Sequence, residues 1–414
     1  MYRGVVGVLA GVIAWGAQAQ QQTAEVGAPS AAERAAYASC MARVRDGATG
    51  IQPASFDRFM TGISPDMSVL SLLDAQPEFS TPIWDYLAPL VDDQRIADGK
   101  AMLAEHAETF AQVAARSGVD AATVAAVWGV ESDYGRVQGK RPLLVSLSTL
   151  SCFGRRQDFF RGELLATLQL LQAGDLDTDG LTGSWAGAFG QTQFMPSTYQ
   201  RIAVDGDGDG RRDLVHSVPD ALASTANYLK RAGWQSGQPW GYEVKLPPGF
   251  DPDRAGRKAR RPLRAWVTDG ITRVDGAPIA PSDARAAVLL PAGTAGPAFL
   301  VFGNFDAIYS YNAAESYALA IALLSDRLRG GGALVARWPT DDPPLDRAQR
   351  RQLQTLLLAH GHAIGEADGM IGTLTRQAIA DEQRQRGLQP VDGRAGQKIL
   401  QALQADAPGS SATP

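Results

Sequence analysis

The chain reads as a mainly α-helical protein with a small β element and a separate three-helix unit near its C-terminal end. Three observations lead there. Apolar residues recur at helical spacing through much of residues 33–330. A Pro- and Gly-rich section from Gly237 to Pro297 interrupts that pattern. The break at Gly330-Gly331-Gly332 and the run Pro339-Thr340-Asp341-Asp342-Pro343-Pro344 set off a short helical segment, residues 345–403, with residues 331–344 as linker. A length of 414 residues accommodates two such domains. The apolar fraction of 45% and charged fraction of 20% are those of a globular protein able to bury a core. A net charge of only -5 argues against a general polyanion binder and so against nucleic acid as partner.

The elements follow in chain order. Met1-Tyr2-Arg3, the apolar run Val5 to Trp15 and Ala17-Gln18-Ala19 form a signal peptide over residues 1–19, cut after Ala19. That predicts export to the periplasm of a Gram-negative bacterium, membrane association being left open. No cysteine follows closely enough to suggest a lipid anchor, and no other stretch reaches the roughly 20 apolar residues of a membrane span. Residues 20–32 are Gln, Ala, Ser and Pro rich and read as flexible. In an oxidising compartment Cys40 and Cys152, the only two cysteines, are able to join if they meet in space; two separately buried thiols are the alternative.

Ala101 to Ser117 carries apolar residues at helical spacing and stops at Gly118. Asp120 caps a second helix, Ala121 to Glu131, which is apolar almost all round and therefore belongs in the core. Further helices are predicted at Gln157–Gln172, Pro219–Arg231 and Ala314–Arg329. Short strands are predicted at Arg264–Val267 and Ala286–Leu290. In the C-terminal segment Leu353, Leu356 and Leu357 stripe a first helix, Thr375 to Gln385 forms a second and Gln397 to Leu403 a third; residues 404–414 read as a disordered tail.

Glu131 closes the apolar helix and precedes Ser132-Asp133-Tyr134-Gly135. A carboxyl group delivered from such a setting is partly desolvated, so it holds its proton toward neutral pH and can donate it to a poor leaving group such as a glycosidic oxygen. Taken alone, a glutamate at a helix end is more often a solvated surface residue. Ordinary glycosidases also need a second carboxylate. Asp133, Asp158 and Glu163 are candidates by position only, and nothing in the sequence selects one of them. The stretch Gly183 to Thr198 combines close-packing glycines with Ser184, Gln193, Phe194 and Met195, a mixture suited to a neutral, N-acetylated sugar or equally to a buried helix junction. Tyr309-Ser310-Tyr311-Asn312 and Tyr317 are either cleft-lining aromatics or core residues.

Asp205-Gly206-Asp207-Gly208-Asp209-Gly210-Arg211-Arg212-Asp213 follows calcium-loop spacing, with oxygen ligands at Asp205, Asp207, Asp209 and Asp213 and the Arg211 carbonyl at position seven. His216 stands at position twelve, where a carboxylate is wanted, and Asp220 is the substitute. Calcium with a structural role is favoured; a solvated acidic turn is the alternative.

Glu131-Ser132-x-Tyr134-Gly135, then Gly187-Ala188-Phe189-Gly190 with Gln193-Phe194-Met195-Pro196-Ser197, then Tyr311-Asn312 with Tyr317-Ala318 occur in order. Together they resemble the membrane-bound lytic murein transglycosylase B family over nearly all of residues 33–330. The resemblance implies a lysozyme-like α+β catalytic domain that cuts the β-1,4 bond between N-acetylmuramic acid and N-acetylglucosamine and leaves 1,6-anhydromuramoyl ends. It puts the single catalytic role on Glu131 and needs no catalytic cofactor. It implies substrate contacts at Ser132, Tyr134, Arg155, Arg156, Ser184, Gln193, Phe194, Met195, Tyr228, Tyr311, Asn312 and Tyr317, and it allows a calcium loop at residues 205–213. Ala314 departs from the family's usual serine. Leu353-x-x-x-Leu357-x-x-x-Gly361, Asp368-Gly369-x-x-Gly372-x-x-Thr375 and Asp392-Gly393 resemble the type 1 peptidoglycan-binding domain. Peptidoglycan strands are thus the expected partner, together with other proteins of wall remodelling. A hydrolytic muramidase and a non-catalytic wall-binding scaffold are the competing readings.

Overall fold

The structure is a computed structural model that describes residues 28–74, 78, 81–275 and 277–406. The proposed leader and the tail from residue 407 lie outside the described residues. Among those described, no helix is long and apolar enough to cross a membrane.

Helices α1 (Ala31–Asp46), α2 (Pro53–Met60), α3 (Ile83–Leu87), α4 (Asp93–Glu105) and α5 (Ala107–Ser117) lead to a central helix, α6 (Ala121–Ser132), on which α4 and α5 pack. The predicted single helix from Ala101 to Ser117 is two helices. It begins earlier, where Asp92 accepts the Arg95 amide, and breaks at His106, whose ψ of 29° leaves the helical range. Apolar spacing runs across the break and hides it. Helix α6 is capped by Asp120, which accepts the Thr123 amide, and every residue from Ala122 to Ser132 is buried. It has no polar face because it is surrounded on all sides.

The short strand β1 (Arg141–Pro142), helix α7 (Leu143–Cys152), helix α8 (Gln157–Ala173), strand β2 (Thr182–Gly183), helix α9 (Pro196–Ile202) and helix α10 (Val218–Arg231) follow. β1 and β2 pair antiparallel, which brings the 183–198 stretch back against the start of α7. Cys40 of α1 and Cys152 at the end of α7 are joined by a disulfide, their Cα atoms 5.8 Å apart. One α7 turn away the Tyr37 hydroxyl donates to Ser148 Oγ at 2.7 Å, a second buried tie between the same helices.

The β element is a five-stranded antiparallel sheet in the order β4-β6-β7-β3-β5, built from β3 (Gly241–Lys245), β4 (Arg261–Pro262), β5 (Thr272–Arg273), β6 (Arg285–Leu289) and β7 (Ala298–Val301). Strand alternation divides β6 and β7 between two cores. Ala287, Leu289, Phe299 and Val301 pack on the helical core, whereas Ala286, Val288, Ala298 and Leu300 pack with Trp266 on the other side. The strand predicted at Ala286–Leu290 is β6, one residue offset. The strand predicted at Arg264–Val267 is instead a helix, α11 (Leu263–Thr268), which follows Pro262 and sends the Trp266 indole N–H to the Ala286 carbonyl at 2.9 Å. A six-residue segment is too short for either periodicity to decide.

Helices α12 (Gly303–Asn312) and α13 (Glu315–Leu328) return to the central helix and close the main body. Beyond them α14 (Arg347–Ala359), α15 (Thr373–Gln385) and α16 (Gln397–Ala405) enclose a separate small core of Leu345, Leu353, Leu357, Ile379, Leu400 and Leu403. α16 extends two residues into the segment predicted as tail. The intervening residues lie on the main body: Val335 and Ala336 amides donate to the Glu243 carboxylate at 2.9 and 2.8 Å, and the Trp338 ring sits 6.4 Å from Trp84.

Candidate active site

Glu131 occupies the last turn of α6 and is 1% exposed. Its Oε1 accepts a short hydrogen bond from the Tyr317 hydroxyl on α13, while Oε2 has no partner within the protein. Burial drives its pKa well above the usual glutamate value of 4.5; the Tyr317 bond works against that shift, and the charge of a second carboxyl, Glu78, adds to it. Burial likewise raises Tyr317 and keeps it a phenol able to donate. The result is a carboxyl group held in place by one oxygen and free at the other, disposed to carry a proton near neutral pH.

Two glycines allow this geometry. The Tyr134 ring lies between α4 and α6, and a Cβ at Gly129 would stand 2.6 Å from its Cζ; one at Gly99 would strike its hydroxyl. The Tyr134 hydroxyl donates to the Arg95 carbonyl at 2.9 Å. Ser132 Oγ donates to the Gln191 carbonyl and accepts the Gly135 amide at 2.8 Å. The Trp128 indole donates to Gln191 Oε1 at 3.0 Å. Ser132 and Tyr134 therefore commit their polar atoms to the protein: they tie α6 to the glycine-rich stretch and to α4.

That stretch brings Gln193 into the site. Its φ of 52° is left-handed, and its amide nitrogen donates to the Gln138 and Gly190 carbonyls at 2.9 and 2.6 Å, leaving Oε1 without a partner. The Ser184 hydroxyl accepts the Ala188 amide at 3.1 Å and stabilises the turn that precedes it. An aromatic row leads from this loop to the carboxyl group. Phe194 lies 6.1 Å from Tyr228, Tyr228 lies 4.7 Å from Tyr311, and Tyr311 lies 6.4 Å from Tyr317. The Tyr228 hydroxyl donates to Ser310 O and that of Tyr311 to Thr192 O, at 2.7 and 2.8 Å. Asn312 is buried with both amide atoms unpartnered. Met195 is buried beside Ala188 and Phe159. Arg155 and Arg156 sit at the α7–α8 junction, Arg155 donating to the Leu73 carbonyl and Arg156 lying 4.5 Å over the Phe159 ring. The structure thus joins Gln193, Phe194, Tyr228, Tyr311 and Tyr317 to Glu131 in one continuous set, with Arg155 and Arg156 on a different junction.

Two features were not read from the sequence. Glu78 is buried, both of its oxygens lack a hydrogen-bond partner, and burial raises its pKa to about 7. Its carbonyl accepts from Ser316 Oγ, next to Tyr317, at 2.7 Å. No motif marks it, because its surroundings are assembled in part from α12 and α13, more than 200 positions away. The second is a cavity beside Glu131 lined by Pro89, Leu90, Arg95, Asp133 and Val137 and also by Arg347 of the C-terminal unit.

At the acidic loop, oxygens of Asp205, Asp207 and Asp209 converge within 4.8 Å of one another. Asp205 already accepts the Gly208 and Gly210 amides, and Ser217 Oγ donates to Asp207 at 2.9 Å. Asp213 turns to His216, whose Nδ1 lies 3.0 Å away. Asp220 accepts the Gly206 and Asp213 amides at 2.7 and 2.6 Å, so it secures both ends of the loop from the first turn of α10. The three converging carboxylates fit a hard divalent cation such as calcium.

Comparison with known proteins agrees with this architecture. Residues 34–326 match the family described as Transglycosylase SLT domain, and residues 346–403 match a putative peptidoglycan binding domain. The chain is 31% identical over 269 residues to membrane-bound lytic murein transglycosylase B of Escherichia coli, covering 61% of this chain and 72% of that one. It is similar to SltB3 from Pseudomonas aeruginosa, solved in complex with NAG-anhNAM-pentapeptide, with 47% identity, a TM-score of 0.71 and coverage of 89% of this chain and 99% of that one. It is also similar to Escherichia coli Slt35 solved in complex with calcium, with 28% identity, a TM-score of 0.62 and coverage of 72% and 94%.

Proposed function

The chain belongs to the Transglycosylase SLT domain family, and from that premise we propose that Glu131 is the acid and then the base of a peptidoglycan-cleaving reaction. The enzyme is a lytic transglycosylase: it cleaves peptidoglycan glycan strands and forms 1,6-anhydromuramoyl ends. The observation that carries the assignment to Glu131 is its pair of unequal oxygens, one bound by Tyr317 and one unpartnered in a buried site.

Protonated Glu131 gives its proton to the glycosidic oxygen as the bond from C1 of N-acetylmuramic acid to that oxygen breaks. The carboxylate left behind accepts the proton of the muramoyl C6 hydroxyl, whose oxygen forms the new bond to C1. Glu131 is restored to its acid form and no water is consumed. Tyr317 stabilises the transient carboxylate, and burial favours its reprotonation. Gln193 Oε1 and the Asn312 amide, both unpartnered, are proposed to bind polar groups of the sugar, and Phe194, Met195, Tyr228 and Tyr311 to line its apolar faces. Ser132, Tyr134 and Ser184 support these groups through the bonds described above, and Arg155 and Arg156 are proposed to face the peptide-bearing side. Mass spectrometry of a digest of purified sacculi is expected to show anhydromuramoyl ends; reducing muramoyl ends in their place would assign a hydrolase.

The organisation proposed is a catalytic domain over 33–330, a connecting segment over 331–344 and a wall-binding domain over 345–403, working in the periplasm after loss of residues 1–19. Calcium is proposed as a structural ion held by Asp205, Asp207 and Asp209 with the Arg211 carbonyl, fixing the loop between α9 and α10 rather than taking part in the chemistry. Calcium added to chelator-treated protein at about a hundredfold excess over its Kd is expected to stabilise by about 2.7 kcal/mol. Asp207→Asn is expected to abolish that gain. An unchanged melting curve in wild-type protein would leave the loop an acidic turn.

A further inference from the structure

Arg347 of the C-terminal unit reaches the end of α6, and the Asp368-Gly369 turn packs behind it. Asp133 ends α6 in a left-handed conformation, φ 53° and ψ 49°, two residues after Glu131. A carboxylate at a helix C-terminus faces the negative end of the helix dipole and is unfavourable unless cations answer it. Burial pushes the Asp133 carboxyl up, and Arg95 and Arg347, with a smaller contribution from Arg136 at 3.6 Å, bring it below the usual range. Arg95 of α4 lies 3.2 Å from Asp133 and also donates to the Gly129 carbonyl of the same helix. Arg347, the first residue of α14, places both terminal nitrogens on the two Asp133 oxygens at 3.4 and 3.3 Å and its Nε 3.6 Å from Asp92, the cap of α4.

Arg347 is itself held from behind. Gly369, at φ 85°, packs so closely that a Cβ there would lie 2.9 Å from Arg347 Cγ. Gln354 fastens this turn by accepting the Gly369 amide at 2.6 Å and donating to Asp368 at 3.1 Å. Arg347, Asp368 and Met370 then line the cavity that contains Glu131.

We propose that Arg347 is a positioning residue of the active site, supplied by the C-terminal unit, which holds the Glu131 turn of α6 in register through Asp133. The inference rests on the assignment of Glu131 above. Charges this well enclosed are costly to leave unpaired, so the pair fixes one docked arrangement of the two units rather than many. The C-terminal unit therefore contributes to turnover as well as to wall attachment.

The test uses the full chain acting on a soluble peptidoglycan oligosaccharide. Arg347→Met is expected to lower kcat about tenfold, as small misplacement of a catalytic group does, with KM within about twofold of wild type. Arg347→Lys, which keeps the charge but not the fork, should recover part of the loss. Arg394→Ala is the control for docking alone, because Arg394 pairs with Asp85 at 2.6 and 2.7 Å elsewhere in the same interface and touches neither Asp133 nor the cavity. Its kcat should equal wild type. The pair Arg347→Met with Asp133→Asn should be no slower than Asp133→Asn alone. Equal kcat losses in Arg347→Met and Arg394→Ala, or additive losses in the pair, would overturn the proposal. Turnover retained within tenfold of wild type in Glu131→Gln would overturn the catalytic assignment instead, so the two failures are distinguishable.

Discussion

Glu131→Gln is expected to reduce turnover of purified sacculi by about 10³-fold, the contribution typical of a positioned general acid and base. Glutamine preserves the shape of the side chain and can still accept from Tyr317, but it has no proton to give to the leaving oxygen. A variant within tenfold of wild type would remove Glu131 from the chemistry. The same substitution carries a second, opposite effect. In the unfolded chain Glu131 ionises near its ordinary value of 4.5, whereas burial keeps it protonated in the folded protein far above that. Between those two values folding must take up a proton, so wild-type stability falls as pH rises. Glutamine is exempt. The inactive variant should melt higher than wild type at neutral pH, and the difference should shrink as the solution is acidified toward 4.5. Loss of activity together with gained stability is a combination that general misfolding does not produce.

Replacing both cysteines by serine is expected to lower stability by about 4–5 kcal/mol, the chain-entropy value for a closed loop of roughly a hundred residues. Cys40 and Cys152 are 112 positions apart. Urea unfolding of the variant against the oxidised parent measures the difference directly. Activity per folded molecule should be retained, because the bond ties α1 to α7 and neither helix carries Glu131 or its partners. A loss below about 1 kcal/mol would mean that the native contacts between these helices, Tyr37 with Ser148 among them, already hold them without the covalent tie.

The sequence displays the parts of the site that lie close together along the chain. Glu131, ending an unbroken apolar helix, and Gln193, set among glycines, stood out as local patterns, but their roles came from the family resemblance. The roles of Ser132 and Tyr134 were not legible in the same way. Their bonds run to Gln191 and Arg95, and only the folded chain shows that they support the site from behind. Glu78 and Arg347 were invisible for a related reason. A charged residue reads as solvated until distant segments cover it, and those two are covered from α13 and from the main body respectively. The sheet was partly missed because its centre is buried on both faces, so β7, Ala298 to Val301, shows no alternation of polar and apolar residues.

Glu78 also alters the simplest view of Glu131 as a carboxyl group working alone. The charge of the buried Glu78 adds to the upward shift of Glu131, so the protonation of the site depends on both carboxyls. Glu131 still makes the contact with Tyr317 and keeps the free oxygen.

The sheet faces two ways, and that separates what selection can alter from what it must leave alone. Phe299 and Val301 are anchored in the core that surrounds α6, whereas the residues packed with Trp266 form a second core, tied to α12 through Arg257 and Arg260 on Asp306. The outer edge of this lobe, with strands β4 and β5, is therefore the place where turns can lengthen or grafted sequence can be accepted. Changes there would redraw the outline that the molecule presents to its surroundings while the chamber around Glu131 stays as it is.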